Sequence, residues 1–365
     1  MSGSLLPLAP ASRIPAGQSL PEPQQRVASP RPSLVDSPFF SVRKDMTAPS
    51  AFADYQVGQV VTLSVTSRHG EAEPSSVGVR VRQLHHPRTL SCCMLVDVPE
   101  DGYGHDPVFL KLYDRRWSEQ FRRDYGAEPW SKSVEEQFVA AVRTGAAREL
   151  LHSLHTVPNF EEDTMETWDV GQDETFLTEQ MRRLCETETS IYDRLRDIQG
   201  KMVPRLVERV SLVLSLPDDA GISAADAEEL FSVHGILLQY VDGFSLSRVQ
   251  EHAPRSHWQK IVDRAIAVVQ VIGDHDILNR DVRPDNFIVC RDEDGDEYRV
   301  FMIDFGLARV RRPDESDRDW AKAKLTKDEE GAVGLVMKKR LAREGFELRF
   351  ENSDRYMEYA GGDDE

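Results

Sequence analysis

Two short segments in the last quarter of the chain carry side chains suited to phosphoryl transfer. The first runs from Asn279 to Asn286 and contains Asp281, and the second, Ile303-Asp304-Phe305-Gly306, contains Asp304. A carboxylate such as Asp281 can orient an attacking hydroxyl or accept its proton. The side-chain oxygens of Asn286 and Asp304 are of the kind that Mg²⁺ prefers. The two segments therefore predict a catalytic base and two magnesium ligands.

The residues between these segments predict how they meet. Phe287 to Cys290 has the pattern of a strand, Asp294-Gly295 is a turn signal, and Tyr298 to Ile303 has the pattern of a second strand. Asn286 and Asp304 then lie just outside the two ends of a two-stranded ribbon. We expect the ribbon to bring them together.

In order and spacing, the two segments resemble the catalytic loop and the DFG segment of the protein-kinase fold. The resemblance implies that Asp281 orients the acceptor hydroxyl and that Asn286 and Asp304 hold magnesium. Asn279 stands where the family usually has His. Arg283 stands where it usually has Lys, which keeps a cation near the transferred phosphate.

A kinase-like site also needs a lysine for the ATP phosphates and a glutamate that holds this lysine. Val108 to Tyr113 alternates as a strand and carries Lys111 in the position of the lysine of a V-A-I-K motif. Glu179 to Arg196 has the pattern of a helix, and Glu188 shares its apolar face. We expect Glu188 to pair with Lys111, with Glu186 as the alternative.

The segment from His234 to Gly243 resembles the strand and hinge that join the two kinase lobes. The resemblance implies that backbone groups of Gln239, Tyr240 and Val241 bind adenine, so ATP with Mg²⁺ is the expected cofactor pair. A helix is predicted from Trp258 to Asp274, directly before the catalytic loop.

Two departures from the family pattern affect the interpretation. No G-x-G-x-x-G precedes Lys111, where Val57 to Val65 and Leu90 to Val98 are the predicted strands. No Ala-Pro-Glu follows Gly306, and a single helix, Asp328 to Leu341, is expected to close the C-lobe. The chain resembles minimal atypical kinases such as the RIO group and, over about residues 100 to 345, uncharacterised fungal protein-kinase-like proteins.

The expected fold class is α+β, a two-lobed protein-kinase-like fold with a reduced C-lobe. Residues 1–50 are rich in Pro and Ser and predict a disordered tail, and 351–365 are an acidic tail. The N-lobe is predicted over 51–240, with a long insertion at about 114–178, and the C-lobe over 241–350.

Within the insertion, Val134 to Leu154 predicts one helix of five or six turns that Gly145 bends. The acidic stretch from Asn159 to Glu174 predicts a mobile loop.

Composition limits the function classes. A formal net charge of −18 argues against a nucleic-acid-binding surface. No apolar run approaches the length of a membrane span, and the four cysteines show no metal-ligand spacing. We therefore expect an intracellular protein, in cytoplasm or nucleus, without nucleic-acid or membrane partners.

The resulting expectation is an atypical kinase that transfers the γ-phosphate of ATP to a protein hydroxyl. Two alternatives stay open. One is a small-molecule phosphotransferase with the same core, and the other is a pseudokinase that binds nucleotide or a partner without turnover. The absent glycine loop favours the pseudokinase, whereas the full set of Lys, Glu, Asp, Asn and Asp disfavours it.

Overall fold

The computed structural model of the chain describes residues 49–66, 75–98, 107–292, 295 and 297–357. Residues 1–48 of the predicted N-terminal tail lie outside the described residues. Asp294 of the predicted turn and the acidic residues from 358 onward lie outside them as well. Helices and strands are both abundant in the described part, which confirms the mixed α+β class.

Six antiparallel strands form a closed barrel in the order β1-β2-β3-β4-β6-β5. Side chains that alternate along each strand fill its interior. Val61, Leu63, Val79, Met94, Leu110 and Leu112 are among the fully buried ones. The strands are β1 (Val60–Thr66), β2 (Ser75–Leu84), β3 (Cys92–Asp97), β4 (Val108–Tyr113), β5 (Leu206–Val213) and β6 (Ser232–Gln239).

Strand β2 was not among the strands predicted from the sequence, so that part of the prediction was wrong. The valines at 77, 79 and 81 alternate with Gly78, Arg80 and Arg82. This period of two suits a barrel wall, with one face toward the core and one toward solvent. The consequence is that the turn preceding β3 comprises residues 85–91.

Five helices lie between β4 and β5, and a sixth, α6 (Ala224–Leu230), precedes β6. The single helix predicted over Val134 to Leu154 is in fact two, because Gly145 adopts a φ of +86° between them. The five helices are α1 (Glu119–Asp124), α2 (Lys132–Thr144), α3 (Ala146–Thr156), α4 (Phe160–Thr164) and α5 (Val170–Arg194).

The predicted mobile loop from Asn159 to Glu174 was also wrong, since it contains α4 and the beginning of α5. Asp169 and Gln172 form a capping box at the start of α5, with both hydrogen bonds at 2.9 Å. The acidic residues that suggested a loop lie instead in the first turns of helices, where the helix dipole favours negative charge.

The region after β6 is built on helix α8 (Trp258–Asp274), which has its predicted bounds. The hairpin β9 (Phe287–Arg291) and β10 (Tyr298–Met302) also forms as predicted. A helix at the predicted C-terminal position is present as α10, but the preceding α9 was not predicted. The other elements are β7 (Phe244–Ser245), α7 (Val249–His252), β8 (Ile277–Asn279), β11 (Ala308–Val310), α9 (Asp317–Lys327) and α10 (Glu329–Arg343).

Candidate active site

Strand β4 holds Lys111 on the face that points away from the barrel core and toward α5. Val108, Leu110 and Leu112 belong to the barrel core, so the alternating residue Lys111 lies on the other face. Gly235 of β6 allows the strands to approach, because a Cβ there would lie 2.6 Å from the carbonyl oxygen of Lys111. Lys111 is 5% exposed, so its charge needs buried partners.

Two carboxylates supply these partners. Lys111 Nζ donates to Glu188 Oε2 at 2.6 Å and to Asp304 Oδ1 at 2.9 Å. Glu188 is fully buried on α5, whereas Glu186 is exposed. The contact expected for Glu188 is therefore present. We call Lys111, Glu188 and Asp304 the site cluster.

Tyr113 is a member of this site that sequence reasoning missed. Its hydroxyl donates to Glu188 Oε2, the same oxygen that Lys111 contacts. The signal was available, because Tyr113 lies two residues after Lys111 and thus on the same face of β4. Tyr113 and Lys111 together fix one oxygen of Glu188.

Asp304 follows β10 with a φ of +67°, in the left-handed region that non-glycine residues seldom adopt. The next residue, Phe305, is fully buried and packs edge-on against Tyr192 of α5, with ring centroids 5.5 Å apart. Phe305 thus secures the segment while the side chain of Asp304 stays 22% exposed. Such backbone strain is common where a side chain must point into a site.

The predicted catalytic loop folds around Asn286. Its Nδ2 donates to the carbonyl oxygen of Asp281 at 2.8 Å and to the Oδ2 of Asp281 at 3.0 Å. Arg283 lies on the other side, with Nε 3.4 Å from Asn286 Oδ1 and Nη2 3.4 Å from Asp281 Oδ2. The backbone N–H of Ile303 donates to Asn286 O at 2.9 Å, which brings this loop beside the Asp304 segment.

Asn279 ties the two segments together. Its Oδ1 accepts from the N–H of Asp281 at 2.9 Å, and its Nδ2 donates to the carbonyl oxygen of Asp304 at 3.3 Å. Its own N–H donates to Glu329 Oε1 at 2.8 Å, and buried Lys324 pairs with Glu329. Sequence reasoning missed both of these supports, because they come from α9 and α10, far away in the chain.

The charges in the site keep Lys111 protonated and Asp304 ionised. Burial alone would lower the pKa of Lys111, but Asp304 and Glu188 raise it well above its usual value. Burial would raise the pKa of Asp304, but the charge and hydrogen bond of Lys111 lower it. Burial raises the pKa of Asp281, and Arg283 only partly offsets this.

The donor set fits a magnesium ion. Asn286 offers an amide oxygen, and Asp304, whose segment lies beside the loop of Asn286, offers an ionised, partly exposed carboxylate. Mg²⁺ is typically held by one or two protein oxygens together with substrate phosphates and waters. Asn286 and Asp304 are the residues that would hold it here.

The predicted adenine-binding residues follow directly after β6. Gln239 pairs with Val108 of β4, and its N–H donates to the carbonyl oxygen of Arg205 at 2.8 Å. This N–H is therefore already engaged. Tyr240 and Val241 follow it and are half-buried.

The turn between β2 and β3, residues 85–91, contains Pro87 and no glycine. Arg88 anchors it, because its guanidinium binds Asp54 at 2.9 Å and lies over the ring of Trp117 at 4.4 Å. A turn fixed in this way differs from a glycine loop whose backbone amides wrap phosphates.

A cavity of about 290 Å³ lies outside the site cluster, between α3, α5 and β6. It opens on the face of α5 that carries Glu179, which is opposite to the face that carries Glu188. Its charged groups pair with one another, since Glu179 binds both Arg182 and His155. We assign it no part in the chemistry.

Comparison with known proteins finds partial similarity to protein kinases. Casein kinase I homolog RAG8 of Kluyveromyces lactis is 30% identical over 113 residues, 30% of this chain and 21% of the relative. Casein kinase I homolog 2 of Saccharomyces cerevisiae is 34% identical over 84 residues, 22% of this chain and 15% of the relative. Serine/threonine-protein kinase pkn2 of Myxococcus xanthus is 23% identical over 146 residues, 40% of this chain and 17% of the relative.

No protein-family model matches the chain. The matches span about a fifth or less of the length of these three relatives. The similarities support a protein-kinase-like relationship and, at that coarse level, phosphotransfer. Among the described helices, none is long and apolar enough to cross a membrane.

Proposed function

We propose that the chain is an atypical kinase, which transfers the γ-phosphate of ATP to a protein hydroxyl with the help of Mg²⁺. In this proposal the barrel with its inserted helices is the N-lobe, and the region from about 241 to 350 is a reduced C-lobe. The similarity to protein kinases supports the reaction class. The protein acceptor is inferred from the same relatives, because they are protein kinases.

One observation carries the proposal. Lys111 contacts both Glu188 and Asp304, while Asn279 and Asn286 link the Asp304 segment to the loop of Asp281. A cation for phosphates, a metal ligand and a general base thus converge from three separate parts of the chain. Such convergence is what phosphoryl transfer requires, because its catalysis depends mostly on alignment and charge neutralisation.

Each residue has one task in this scheme. Lys111 holds the α and β phosphates and is itself oriented by Glu188. Asp281 accepts or orients the proton of the acceptor hydroxyl, and Arg283 neutralises charge near the transferred phosphate. Magnesium, bound through Asn286 and Asp304, would neutralise the charge of the β and γ phosphates. The nucleobase of ATP would be held by backbone groups of Tyr240 and Val241.

A second candidate function is nucleotide or partner binding without transfer. The turn at residues 85–91 favours it, because Arg88 holds this turn against Asp54 and Trp117 and no glycine is present. Such a turn offers phosphates less backbone contact than a glycine loop does.

Phosphate transfer from labelled ATP separates the two functions. Asp281→Asn removes the base while keeping side-chain size, so we expect transfer to fall by about 10²-fold or more while Mg-ATP binding stays nearly intact. Asp285→Asn is the matched control, since Asp285 is exposed in the same loop. If wild type transfers no more phosphate than Asp281→Asn with any acceptor in a cell extract, the binding function is the better account.

A further inference from the structure

Phe109 lies between Lys111 and the segment proposed to hold the nucleobase, which is Tyr240 and Val241. It is two residues before Lys111 on β4, so both side chains share one face of the strand, about 7 Å apart. In the pairing with β6, Lys111 is opposite Ile236 and Phe109 is opposite Leu238, directly before Gln239. Phe109 is thus the next side chain on this face from Lys111 toward the base-binding segment.

His85 closes over Phe109 from the neighbouring part of the sheet. The two rings pack edge to face with centroids 5.2 Å apart. The N–H of His85 donates to the carbonyl oxygen of Cys93 at 2.9 Å, and Cys93 is the β3 partner of Lys111. The backbone of His85 is therefore anchored in the same row of the sheet as Lys111.

The environment of His85 is apolar on this side. Its Nε2 is buried and has no hydrogen-bond partner among the described residues. Burial, together with the neighbouring His86, lowers the pKa of His85, so the ring is neutral at physiological pH. A neutral ring on a phenyl face forms a stable aromatic contact that a ligand must displace.

We propose that the Phe109–His85 pair occupies the volume that a nucleobase would need, so that the site recognises the magnesium triphosphate and discriminates little between bases. Phe109 is then a residue that determines specificity, and this inference rests on the proposed function. A purine ring and a phenyl ring cannot occupy the same volume, because protein interiors are close-packed. Base binding therefore requires Phe109 to rotate away from His85, which weakens affinity.

Calorimetric titration with three magnesium complexes tests this inference. The probes are Mg-ATP, Mg-GTP and Mg-tripolyphosphate, of which the last has no base. We expect wild type to bind all three with dissociation constants within about threefold of one another. Phe109→Ala should tighten Mg-ATP by about tenfold and leave tripolyphosphate unchanged, since the aromatic contact is the barrier removed.

Two further variants guard against a folding defect. Phe109→Val keeps a strand-forming residue, and His85→Ala removes only the ring that holds Phe109. Both should show the same gain in preference for ATP over tripolyphosphate. Phe160→Ala is the matched control, because Phe160 is a half-buried ring that stacks on Trp168 in the inserted helices. Melting temperatures without ligand identify any variant that is not folded.

The outcomes separate this inference from the proposed function. If wild type already prefers Mg-ATP to tripolyphosphate by tenfold or more, or if no folded Phe109 or His85 variant gains such a preference, the inference is wrong while ATP binding stands. If only the variants bind Mg-ATP, the inference holds and the wild-type chain is not an ATP-dependent kinase. If neither binds any probe, both are wrong.

Discussion

Helix α5 takes part in two buried charge clusters, and they differ in how well their charges balance. Near its start, Glu174 belongs to what we call the anchor cluster, with Arg115, Arg122 and Glu135. Near its end, Glu188 belongs to the site cluster. The two glutamates are fourteen residues apart, so they lie about 21 Å apart along the helix and within about 40° of one another around it.

The anchor cluster is complete. Two arginines, Arg115 and Arg122, face two carboxylates, Glu135 and Glu174, and all four residues are at most 5% exposed. Glu174 accepts from both arginines, whereas Glu135 accepts from Arg115 at 2.7 Å and from Trp130 Nε1 at 2.8 Å. Every carboxylate oxygen has a donor, which is the arrangement expected of a structural network.

The site cluster and its surroundings are not balanced. Two cations, Lys111 and Arg283, face three carboxylates, Glu188, Asp304 and Asp281. Glu188 Oε1 is buried without a hydrogen-bond partner among the described residues. The side chain of Asp304 is partly exposed, so solvent reaches the site cluster there.

The unsatisfied negative charge of these two clusters is therefore concentrated at the site cluster and its surroundings. Buried polar groups are normally paired, so an excess of carboxylate beside an accessible oxygen indicates a place for a further cation and its ligand. The anchor cluster fixes the position of α5. This position places Glu188 of the site cluster in contact with Lys111.

The largest effect is expected from the pair Lys111 and Glu188. Lys111→Ala and Glu188→Ala should each lower kcat/KM by about 10²-fold or more, because Lys111 holds the phosphates and Glu188 holds Lys111 in place. The double variant should be little worse than either single one, since the two residues act as a unit. Steady-state kinetics of the four proteins checks this, with exposed Glu186→Ala as the control. Additive losses would mean that the two residues act independently, so that Glu188 is not the functional partner of Lys111.

The anchor cluster should show the opposite behaviour. Glu174→Gln leaves two buried arginines short of negative charge and should lower the free energy of unfolding by about 3–5 kcal/mol. Transfer by the protein that stays folded should change by less than about threefold. Denaturant titration and kinetics at low temperature measure both quantities, and Glu166→Gln at an exposed site is the control. A loss of transfer well above threefold in the protein that stays folded would contradict a purely structural role.

The smallest effect concerns the pH dependence. Asp281 must be ionised to act as a base, so kcat/KM should rise with pH through its pKa. Burial raises this pKa and Arg283 lowers it. Arg283→Gln should therefore move the acid limb of the profile to higher pH, and exposed Arg280→Gln should not move it. A limb that moves to lower pH in Arg283→Gln would exclude Asp281 as the titrating group.

The resemblance to the protein-kinase fold selected Asn286, Asp304 and Lys111 as candidates. Local patterns then predicted their positions, because a hairpin joins Asn286 to Asp304 and strand alternation fixes the face of Lys111. Glu188 was chosen over Glu186 because it shares the apolar face of its helix. The structure brings Lys111 and Glu188 into contact.

Support from distant parts of the chain was not predictable. Glu329 lies fifty residues after Asn279, and nothing in its surrounding sequence shows that its carboxylate accepts from that backbone. Likewise, the acidic composition around Glu174 suggested a loop, because the buried arginines that neutralise this residue come from Arg115 and Arg122. Long-range pairing of buried charges has no local periodicity that a sequence pattern can reveal.

The most direct test of the unbalanced site is a thermal-shift titration of wild type and Asp304→Asn with ATP, in the presence and absence of magnesium. Wild type should be stabilised by Mg-ATP, by about 2.7 kcal/mol at a hundredfold excess over Kd. Asp304→Asn should lose the magnesium-dependent part of the shift. Without ligand it should also be less stable than wild type, because buried Lys111 loses one of its two carboxylate partners. The account is contradicted if millimolar ATP gives wild type no magnesium-dependent shift, or if Asp304→Asn retains it.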